Sequence, residues 1–244
     1  MPPPKYLDQA NRLIASFPAE QRASFVEHCE VVDLQRQDVL AQAGQPVGHV
    51  YFPIDSFVAN VFYLADGHFL QVGLVGNEGM THASVALGQK VASMTSVVQG
   101  AGRAFRIQHR DLHALLCANS ILCGVLYKYA ALFITQLARN MACASHHSVK
   151  QRLARWLLAT RDCLHSSELP LTHDVLASML GVRRERVTPV ASAMQRDGLI
   201  SYSRGNVSLL NETGLRVVAC GCYQNNLAAL KPEGELAHTE LFVF

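Results

Sequence analysis

The chain has 244 residues, of which half are apolar and 16% are charged, and its formal net charge is +2. This composition excludes an intrinsically disordered protein, and the length favours two domains. Seven cysteines, an odd number without a C-x-x-C pair, indicate a reduced protein rather than a disulfide framework. The N-terminal residues lack the basic start and the apolar run of a secretory signal, so we expect a cytoplasmic protein.

The charge is unevenly distributed along the chain. Residues 1–149 carry ten Lys/Arg and ten Asp/Glu, whereas residues 150–217 carry ten Lys/Arg and only six Asp/Glu. Residues 218–244 carry one lysine and three glutamates. A local basic excess in an otherwise neutral chain indicates that this segment contacts a polyanion. A solvated helix face is the alternative explanation of the same excess.

The front part of the chain predicts a short helical region followed by an all-β domain. The segment from residue 8 to residue 30 has apolar residues at helical spacing. After them, short runs of β-branched and aromatic residues alternate with turn signals, a pattern typical of a β-barrel or a β-sandwich. These runs lie at residues 31–32, 50–52, 57–58, 61–63, 72–75, 97–98 and 104–107.

A long helix is predicted after residue 111. Residues 112–138 contain one formal charge, Lys128, so a membrane span has to be considered. Polar residues such as His113 and Asn119 disfavour a span, and we expect no membrane contact. A heptad seam instead predicts a homodimerisation helix, with an ordinary buried helix as the alternative. The predicted dimer interface consists of Leu122, Leu126, Tyr129, Phe133, Gln136 and Asn140.

The stretch from residue 171 to residue 210 has the pattern of a winged helix-turn-helix. Thr172 is a good N-cap for a short apolar helix that Gly181 ends. A second helix follows, and after it a β-hairpin that turns at Gly205 and Asn206. A recognition helix presents its first residues to base edges in the major groove, and the basic excess falls on this helix. The polar residues at its start are Arg183, Arg184, Glu185, Arg186 and Thr188.

These residues resemble the Crp-Fnr superfamily of bacterial transcription regulators. The shared patterns are L-T-x-D-x-L-A-x-M-L-G-V-R-R-E-x-V-T from Leu171 and L-I-x-Y-x-R-G from Leu199. Residues 49–53, 66–67 and 76–80 resemble that superfamily's cyclic-nucleotide-binding-like β-roll. The resemblance implies an α+β chain. Its predicted parts are a β-roll sensor (1–110), a dimerisation helix and hinge (111–147), a winged helix-turn-helix (148–217) and a C-terminal tail (218–244).

The resemblance also implies a homodimer that binds double-stranded DNA and works with RNA polymerase, and it implies no enzyme activity. Arg184 and Glu185 match the pair that reads guanine and cytosine in these regulators. The next base-reading position, usually arginine, is Pro189 here. The remaining expected DNA contacts, mostly to phosphates, are Arg183, Arg186, Thr188, Thr172, Ser203 and Arg204.

An unknown small-molecule effector is expected in the β-roll. Cyclic AMP is disfavoured because the arginine that holds its phosphate in relatives would fall on or near Ser93, and the nearest cation is Lys90. Only Cys29 lies in the first hundred residues, which disfavours an iron–sulfur cluster, and we expect no haem. The effector residues that the resemblance suggests are Gly76, Glu78, Gly79, Lys90 and Ser93.

Two short motifs near the hinge and the C-terminus leave their roles open. Cys220 and Cys222 could bind a metal or become oxidised, although a structural role is favoured. His146 and His147 are interpreted as structural or hinge residues, so no metal site is predicted. No H-E-x-x-H, G-x-S-x-G or P-loop motif supports a metalloenzyme. A cyclic-nucleotide-binding module that does not act on DNA is the stronger alternative to the regulator.

Overall fold

The computed structural model describes residues 10–64, 69–164, 166–203 and 205–224. Two short helices, α1 (Arg12–Ala15) and α2 (Ala19–Glu27), precede the sheet region, as the helical spacing predicts. Asn11 caps α1 by accepting the Ile14 amide at 3.0 Å, and its own amide group donates to the carbonyls of Pro53 and Gly79. This buried amide therefore fixes the entry of the chain onto the β domain.

The front domain is a β-roll made of two antiparallel sheets. One sheet has the order β1-β7-β3 and the other the order β2-β6-β4-β5. The aromatic residues of the strands fill the core, with Phe52 and Phe105 fully buried. The strands are β1 (Glu30–Leu34), β2 (Val39–Ala41), β3 (His49–Pro53), β4 (Phe57–Tyr63), β5 (Phe69–Val75), β6 (Thr95–Gly100) and β7 (Gly102–Gln108).

This part of the fold prediction is confirmed: every β-branched run lies in a strand. Two elements of the front domain were not predicted from the sequence. These are the three-residue strand β2, and a 3-10 helix at Ala83–Leu87 that follows β5. The 3-10 helix is one of the elements on which the long helix of the molecule packs.

The long helical region consists of two helices, α3 (His109–Ala118) and α4 (Ser120–His146). The break lies at Asn119, whose extended backbone ends α3 and whose side chain accepts the first free amides of α4. By length and hydropathy alone α4 could cross a membrane, but one of its faces packs on the β-roll. Tyr129 lies on that face and donates a hydrogen bond to the Met80 carbonyl at 3.1 Å.

The predicted dimer seam is the face of α4 that packs on the β-roll, so its assignment to a dimer interface is wrong. Leu126 is completely buried, and four of the other five seam residues are less than 10% exposed within a single chain. Gln136 is half-buried. A heptad spacing identifies an apolar face but not the surface that covers it, and here that surface is the chain's own β-roll. The corrected residues are Leu122, Leu126, Tyr129, Phe133, Gln136 and Asn140.

The C-terminal part is the predicted winged helix-turn-helix. Gly181 ends the first helix of the motif with a left-handed backbone (φ +59°), a conformation that glycine adopts without steric cost. Pro189 lies inside the second helix. The elements are α5 (Val149–Leu164), β8 (Glu168–Leu169), α6 (His173–Leu180), α7 (Arg184–Arg196), β9 (Ile200–Ser203), β10 (Asn206–Leu209) and α8 (Glu212–Val218).

The β-roll and the C-terminal domain share one hydrophobic core. Phe57 and Leu74 of the roll pack in the same buried cluster as Leu153 and Leu157 of α5. Asn140 of α4 connects the parts by hydrogen bonds: its amide donates to the Val72 carbonyl of β5, and its carbonyl accepts from Arg155 of α5, both at 2.8 Å. One side chain thus joins the roll, the long helix and the C-terminal domain.

We expect Asn140→Ala to lower the free energy of unfolding by about 1–3 kcal/mol, because it leaves the Arg155 guanidinium and a strand carbonyl with fewer partners in a buried setting. Thr135→Ala is the matched control, since this exposed hydroxyl bonds only to its own helix. Urea denaturation measures both variants. A loss in Asn140→Ala no larger than in Thr135→Ala would show that the bridge contributes nothing to stability.

Candidate nucleic-acid interface and effector cavity

The start of α7 presents exposed polar side chains, while the opposite side of the helix is buried. Val187, Ala191 and Met194 anchor the inner side of the helix in the core. Arg183 is the N-cap residue, with extended backbone, and the helix begins at Arg184. All five residues predicted to lie at this helix start, Arg183, Arg184, Glu185, Arg186 and Thr188, are exposed. The structure therefore places them together on one accessible surface.

The neighbouring elements hold this surface through weak polar contacts. The Arg184 guanidinium lies 3.5 Å from the Asp174 carboxylate, and both side chains are largely exposed, so the pair contributes little to stability. The Thr188 hydroxyl lies 3.3 Å from the His173 ring, which stacks on Tyr202 with ring centroids 4.1 Å apart. His173 and Tyr202 thus connect α6, α7 and the wing. Sequence reasoning did not single out either residue.

The other predicted DNA contacts have different positions. The Thr172 hydroxyl caps α6 by accepting the Val175 amide at 3.3 Å, so its role is at least structural. Ser203 is exposed at the end of β9, opposite Asn206 across the hairpin. Arg204 lies outside the described residues. The wing itself has the predicted turn, with Gly205 in a left-handed conformation.

Pro189 does not shorten the recognition helix. Since proline has no backbone N–H, it cannot donate to the Glu185 carbonyl, and α7 nevertheless runs from Arg184 to Arg196. A proline at this position can either kink the helix or delay its start, and the start at Arg184 excludes the delay. The exposed position that carries Pro189 offers no side-chain hydrogen bond to a base.

Four of the five predicted effector residues lie outside the wall of the cavity in the β-roll domain. Glu78 accepts the Gly76 amide at 2.9 Å, and a Cβ on Gly76 would come within 3.0 Å of both Glu78 and Cys163. Burial raises the pKa of the Glu78 carboxyl, and the Gly76 amide counters part of that shift. A side chain on Gly79 would collide with the Tyr129 ring, so this glycine allows close packing of α4. Lys90 is exposed.

This cavity, of about 120 Å³, lies between the β-roll and α4, and Ser93 is the one predicted residue in its wall. Two of the wall residues have a buried polar atom without a hydrogen-bond partner in the described part of the chain, Asn60 Nδ2 and His82 Nε2. Burial lowers the pKa of His82 to about 4, so its ring is neutral near pH 7. The wall consists of Asn60, His82, Ala83, Ser84, Leu87, Ser93, Met94, Ala130, Phe133, Ile134 and Leu137.

The sequence of residues 151–218, which spans α5 to α8, matches the family model described as the Crp-like helix-turn-helix domain. These residues form a Crp-like helix-turn-helix domain. A search of curated protein sequences gives no significant match. The match covers the elements that carry the exposed α7 surface, so the family assignment and the geometry concern the same domain.

Solved structures show that the fold extends beyond the Crp-like domain over more than three quarters of the chain. A Crp-family transcriptional regulator from Thermus thermophilus is 20% identical, with a TM-score of 0.65 over 77% of this chain and 96% of that chain. A Crp/Fnr-family regulator from the same organism is 23% identical, with a TM-score of 0.60 over 78% and 98%. FixK2 from Bradyrhizobium japonicum is 12% identical, with a TM-score of 0.64 over 79% and 98%. The chain therefore has the Crp/Fnr-type fold, with a cyclic-nucleotide-binding-like roll before the Crp-like domain.

A second group of polar residues lies where the Crp-like domain meets the end of α4. Cys143, His147, Cys220 and Cys222 bring all their potential metal-ligand atoms within 4.8 Å of one another. The sequence interpretation considered Cys220 and Cys222 apart from His147, did not single out Cys143, and predicted no metal site. Cys143 and Cys220 are 77 positions apart in the chain. The sequence gives no signal that the two pairs meet, since they lie far apart in the chain and neither forms a complete C-x-x-C or H-E-x-x-H motif.

The buried His82 predicts a specific dependence of stability on pH. Because the pKa of His82 falls to about 4 in the folded state, from about 6.5 when unfolded, stability is complete above pH 6.5 and is lost as the pH falls towards 4. The full loss is about 3 kcal/mol. We expect His82→Asn, whose side chain tolerates the left-handed backbone at this position (φ +53°), to remove this loss.

The measurement is urea denaturation at several pH values between 4 and 7. His113→Asn is the control because His113 is exposed, and we expect this variant to keep the pH dependence of the wild type. An unchanged pH dependence in His82→Asn would show that other groups cause the acid sensitivity.

Proposed function

We propose that this chain is a transcriptional regulator, and not an enzyme, that binds operator DNA as a homodimer and responds to a small ligand in the β-roll cavity. The observation that carries the proposal is the exposed cluster of arginines at the start of α7. In a helix-turn-helix domain this end of the second helix enters the major groove. The net basic charge of residues 150–217 supports contact with DNA phosphates.

Within this surface, Arg184 and Glu185 are suited to reading a G·C pair. An arginine donates two hydrogen bonds to guanine, and a glutamate accepts one from the cytosine amino group. The contact between Arg184 and Asp174 is long and exposed, so the guanidinium can leave it at little cost. Arg183 and Arg186 are assigned to phosphates, which set affinity and register rather than sequence preference.

The dimer interface that we propose lies on the outer face of α4, opposite the face on the roll. Seven exposed residues on this face alternate at spacings of three and four, as in a coiled-coil seam. Small residues occupy every seventh position, and larger apolar residues, two of them 57% and 71% exposed, occupy the positions between them. These outer seam residues are Gly124, Tyr127, Ala131, Ile134, Ala138, Met141 and Ser145.

Pairing two copies of this face explains why α4 is apolar on both sides. The small residues allow the two helix backbones to approach closely, while Tyr127, Ile134 and Met141 are removed from water. A two-fold axis along this seam would place one α7 on each side. Recognition helices of such dimers read half-sites about 34 Å apart, one turn of DNA. RNA polymerase remains the expected protein partner at the promoter.

The position of the cavity supports effector control of this arrangement. Ile134 belongs both to the outer seam and to the cavity wall, so a ligand there would contact a residue of the dimer interface. Among the described residues, none that lines the cavity is a lysine or an arginine, and the His82 ring is neutral near pH 7. A cyclic phosphate would therefore lack a cationic partner. These contacts favour a small, mostly apolar ligand without charge that bonds to Asn60 or His82.

The first test concerns the dimer. We expect the double variant Ala131→Glu/Met141→Glu to be a folded monomer with weak DNA binding, because it places like charges on facing seam positions. Leu132→Glu is the control: Leu132 is an exposed apolar residue of the same helix that lies off the seam. Sedimentation velocity measures the oligomeric state, and circular dichroism checks folding. A double variant that remains a dimer would remove this face from the interface.

The second test separates base reading from phosphate contact. We expect Arg184→Ala to cost about 1–3 kcal/mol on the cognate site and to relax the preference at one base pair. Arg186→Ala should weaken binding to all sequences alike and reduce the salt slope by about one. The operator is first selected from random DNA with the wild-type protein, and binding to its single-base variants is then measured at two salt concentrations. An equal loss on every sequence in Arg184→Ala would make its role electrostatic.

A further inference from the structure

Two pairs of potential ligands meet at the junction between α4 and the Crp-like domain. Cys143 lies in the last turn of α4, and His147 directly follows that helix. Cys220 and Cys222 follow α8 at the other end of the Crp-like domain. The Sγ atoms of Cys143 and Cys220 are 3.5 Å apart, and the Cys222 Sγ lies 3.8 Å from the His147 Nδ1.

These separations are those of a tetrahedral zinc site. Bond lengths of about 2.3 Å to sulfur and about 2.0–2.1 Å to nitrogen give tetrahedral edges of about 3.8 Å between two sulfurs and about 3.6 Å between sulfur and nitrogen. Since every pair of ligand atoms lies within 4.8 Å, the longest separation would have to shorten by at most about 1 Å for one ion to bind all four. Three thiolates and one imidazole form a set that zinc prefers.

The backbone holds each pair of ligands in place without a metal. Cys143 and His147 are four residues apart, which places them on one side of the helix end, and the His147 amide donates to the Cys143 carbonyl at 3.1 Å. On the other segment, the Tyr223 amide donates to the Cys220 carbonyl, and the buried Tyr223 hydroxyl donates to Asp162 at 2.7 Å. The cysteine pair is thus tied to α5 independently of any ion.

Two buried arginines near the cluster, Arg152 and Arg155, donate hydrogen bonds to carbonyl oxygens but have no carboxylate partner among the described residues. Arg152 and Arg155 are 8% and 3% exposed, and neither has a carboxylate within ion-pair distance in the described ranges. Arg155 bonds to the Asn140 carbonyl oxygen, and its Nε has no partner among the described residues. Burial lowers the pKa of Arg152, and the neighbouring Cys143 and Cys220 counter part of that shift. A buried charge without an opposite charge is costly.

We propose that Cys143, His147, Cys220 and Cys222 bind one Zn²⁺ ion that fastens the end of the dimerisation helix to the C-terminal end of the Crp-like domain. Binding releases the three thiol protons, and the site with three thiolates and a neutral histidine carries a charge of −1. That negative charge would partly offset the charge of the two buried arginines. Four protein ligands leave no open position for a substrate, so the ion is structural rather than catalytic.

The site would make the hinge depend on the metal. The chain between His147 and Cys220 contains the entire helix-turn-helix and wing, so the ion closes this domain into a loop anchored on α4. Loss of the ion would free the end of α8 from α4. The main alternative for the cluster is a disulfide between Cys143 and Cys220, which would require an oxidant and an S–S distance of about 2.05 Å.

The experiment uses the full-length protein, reduced and stripped of metal with a chelator. Co²⁺ is added as the spectroscopic probe and is then displaced with Zn²⁺. We expect one Co²⁺ per chain, with thiolate-to-cobalt charge-transfer bands and the intense visible bands of tetrahedral cobalt. Cys220→Ser, Cys222→Ser and His147→Ala should lower the affinity on the order of 100-fold or more, because each removes one of four ligands. His147→Cys should keep a tetrahedral spectrum with stronger charge-transfer bands.

Two variants serve as matched controls. Cys117→Ser removes an exposed thiol, and His146→Ala removes an exposed histidine next to His147, and neither residue belongs to the cluster. Both should bind one Co²⁺ as the wild type does. In the wild type, Zn²⁺ should protect Cys143, Cys220 and Cys222, three of the seven cysteines, from alkylation, as mapped by mass spectrometry. This readout does not require any variant to fold.

Three results would overturn the proposal. The first is that reduced, folded wild-type protein shows no tetrahedral cobalt spectrum, and the second is that the ligand variants bind Co²⁺ as tightly as the control variants. The third is a Cys143–Cys220 disulfide that persists in the reduced preparation. None of these results depends on DNA binding. Failure of the metal site is therefore distinguishable from failure of the proposed regulatory function.

Discussion

The amide of Asn140 and the buried charge of Arg155 set the relative positions of the three parts of the molecule. A guanidinium that is almost fully buried must find acceptors, and the Asn140 carbonyl oxygen is one of them. The same amide donates to a carbonyl of β5, so the axial position of α4 on the roll and the position of α5 on α4 are coupled. Hydrogen bonds require a defined distance and direction, whereas apolar contact does not, so these two bonds align the apolar core between the roll and α5.

The sequence predicted those parts of the fold whose signals are local. Thr172 as an N-cap, Gly181 as a left-handed helix end and the turn at Gly205 each depend on a few neighbouring residues, and the structure has all three features. The strands β2 and β8 were missed because two or three residues are too few to show an alternation. In each case the deciding contact comes from a partner strand far along the chain.

The interpretation of α4 failed because the helix has two apolar faces. The large residues around Leu126 and Phe133 gave the stronger heptad signal, and they fill the chain's own core. The outer seam was overlooked because Gly124, Ala131 and Ala138 carry little hydrophobic area. The suggested effector residues, which stay a prediction, mostly lie outside the cavity wall. Glu78 matches a family position, but its carboxylate turns back to the Gly76 amide, whereas Asn60 and His82 reach the cavity from elements with no binding motif.

Ile134 lies both on the outer seam of α4 and in the cavity wall, and this has an evolutionary consequence. A lineage that adapts the cavity to a new ligand can change Ser84, Leu87 or Ser93 without touching the outer seam of α4. Under the proposed function, a substitution at Ile134 would alter ligand preference and subunit affinity in one step, because its exposed side chain also lines the cavity. We therefore expect related regulators with different ligands to diverge on the β-roll side of the cavity first. Changes on the helix side should arise together with compensating changes along the seam, at Ala131 or Ala138.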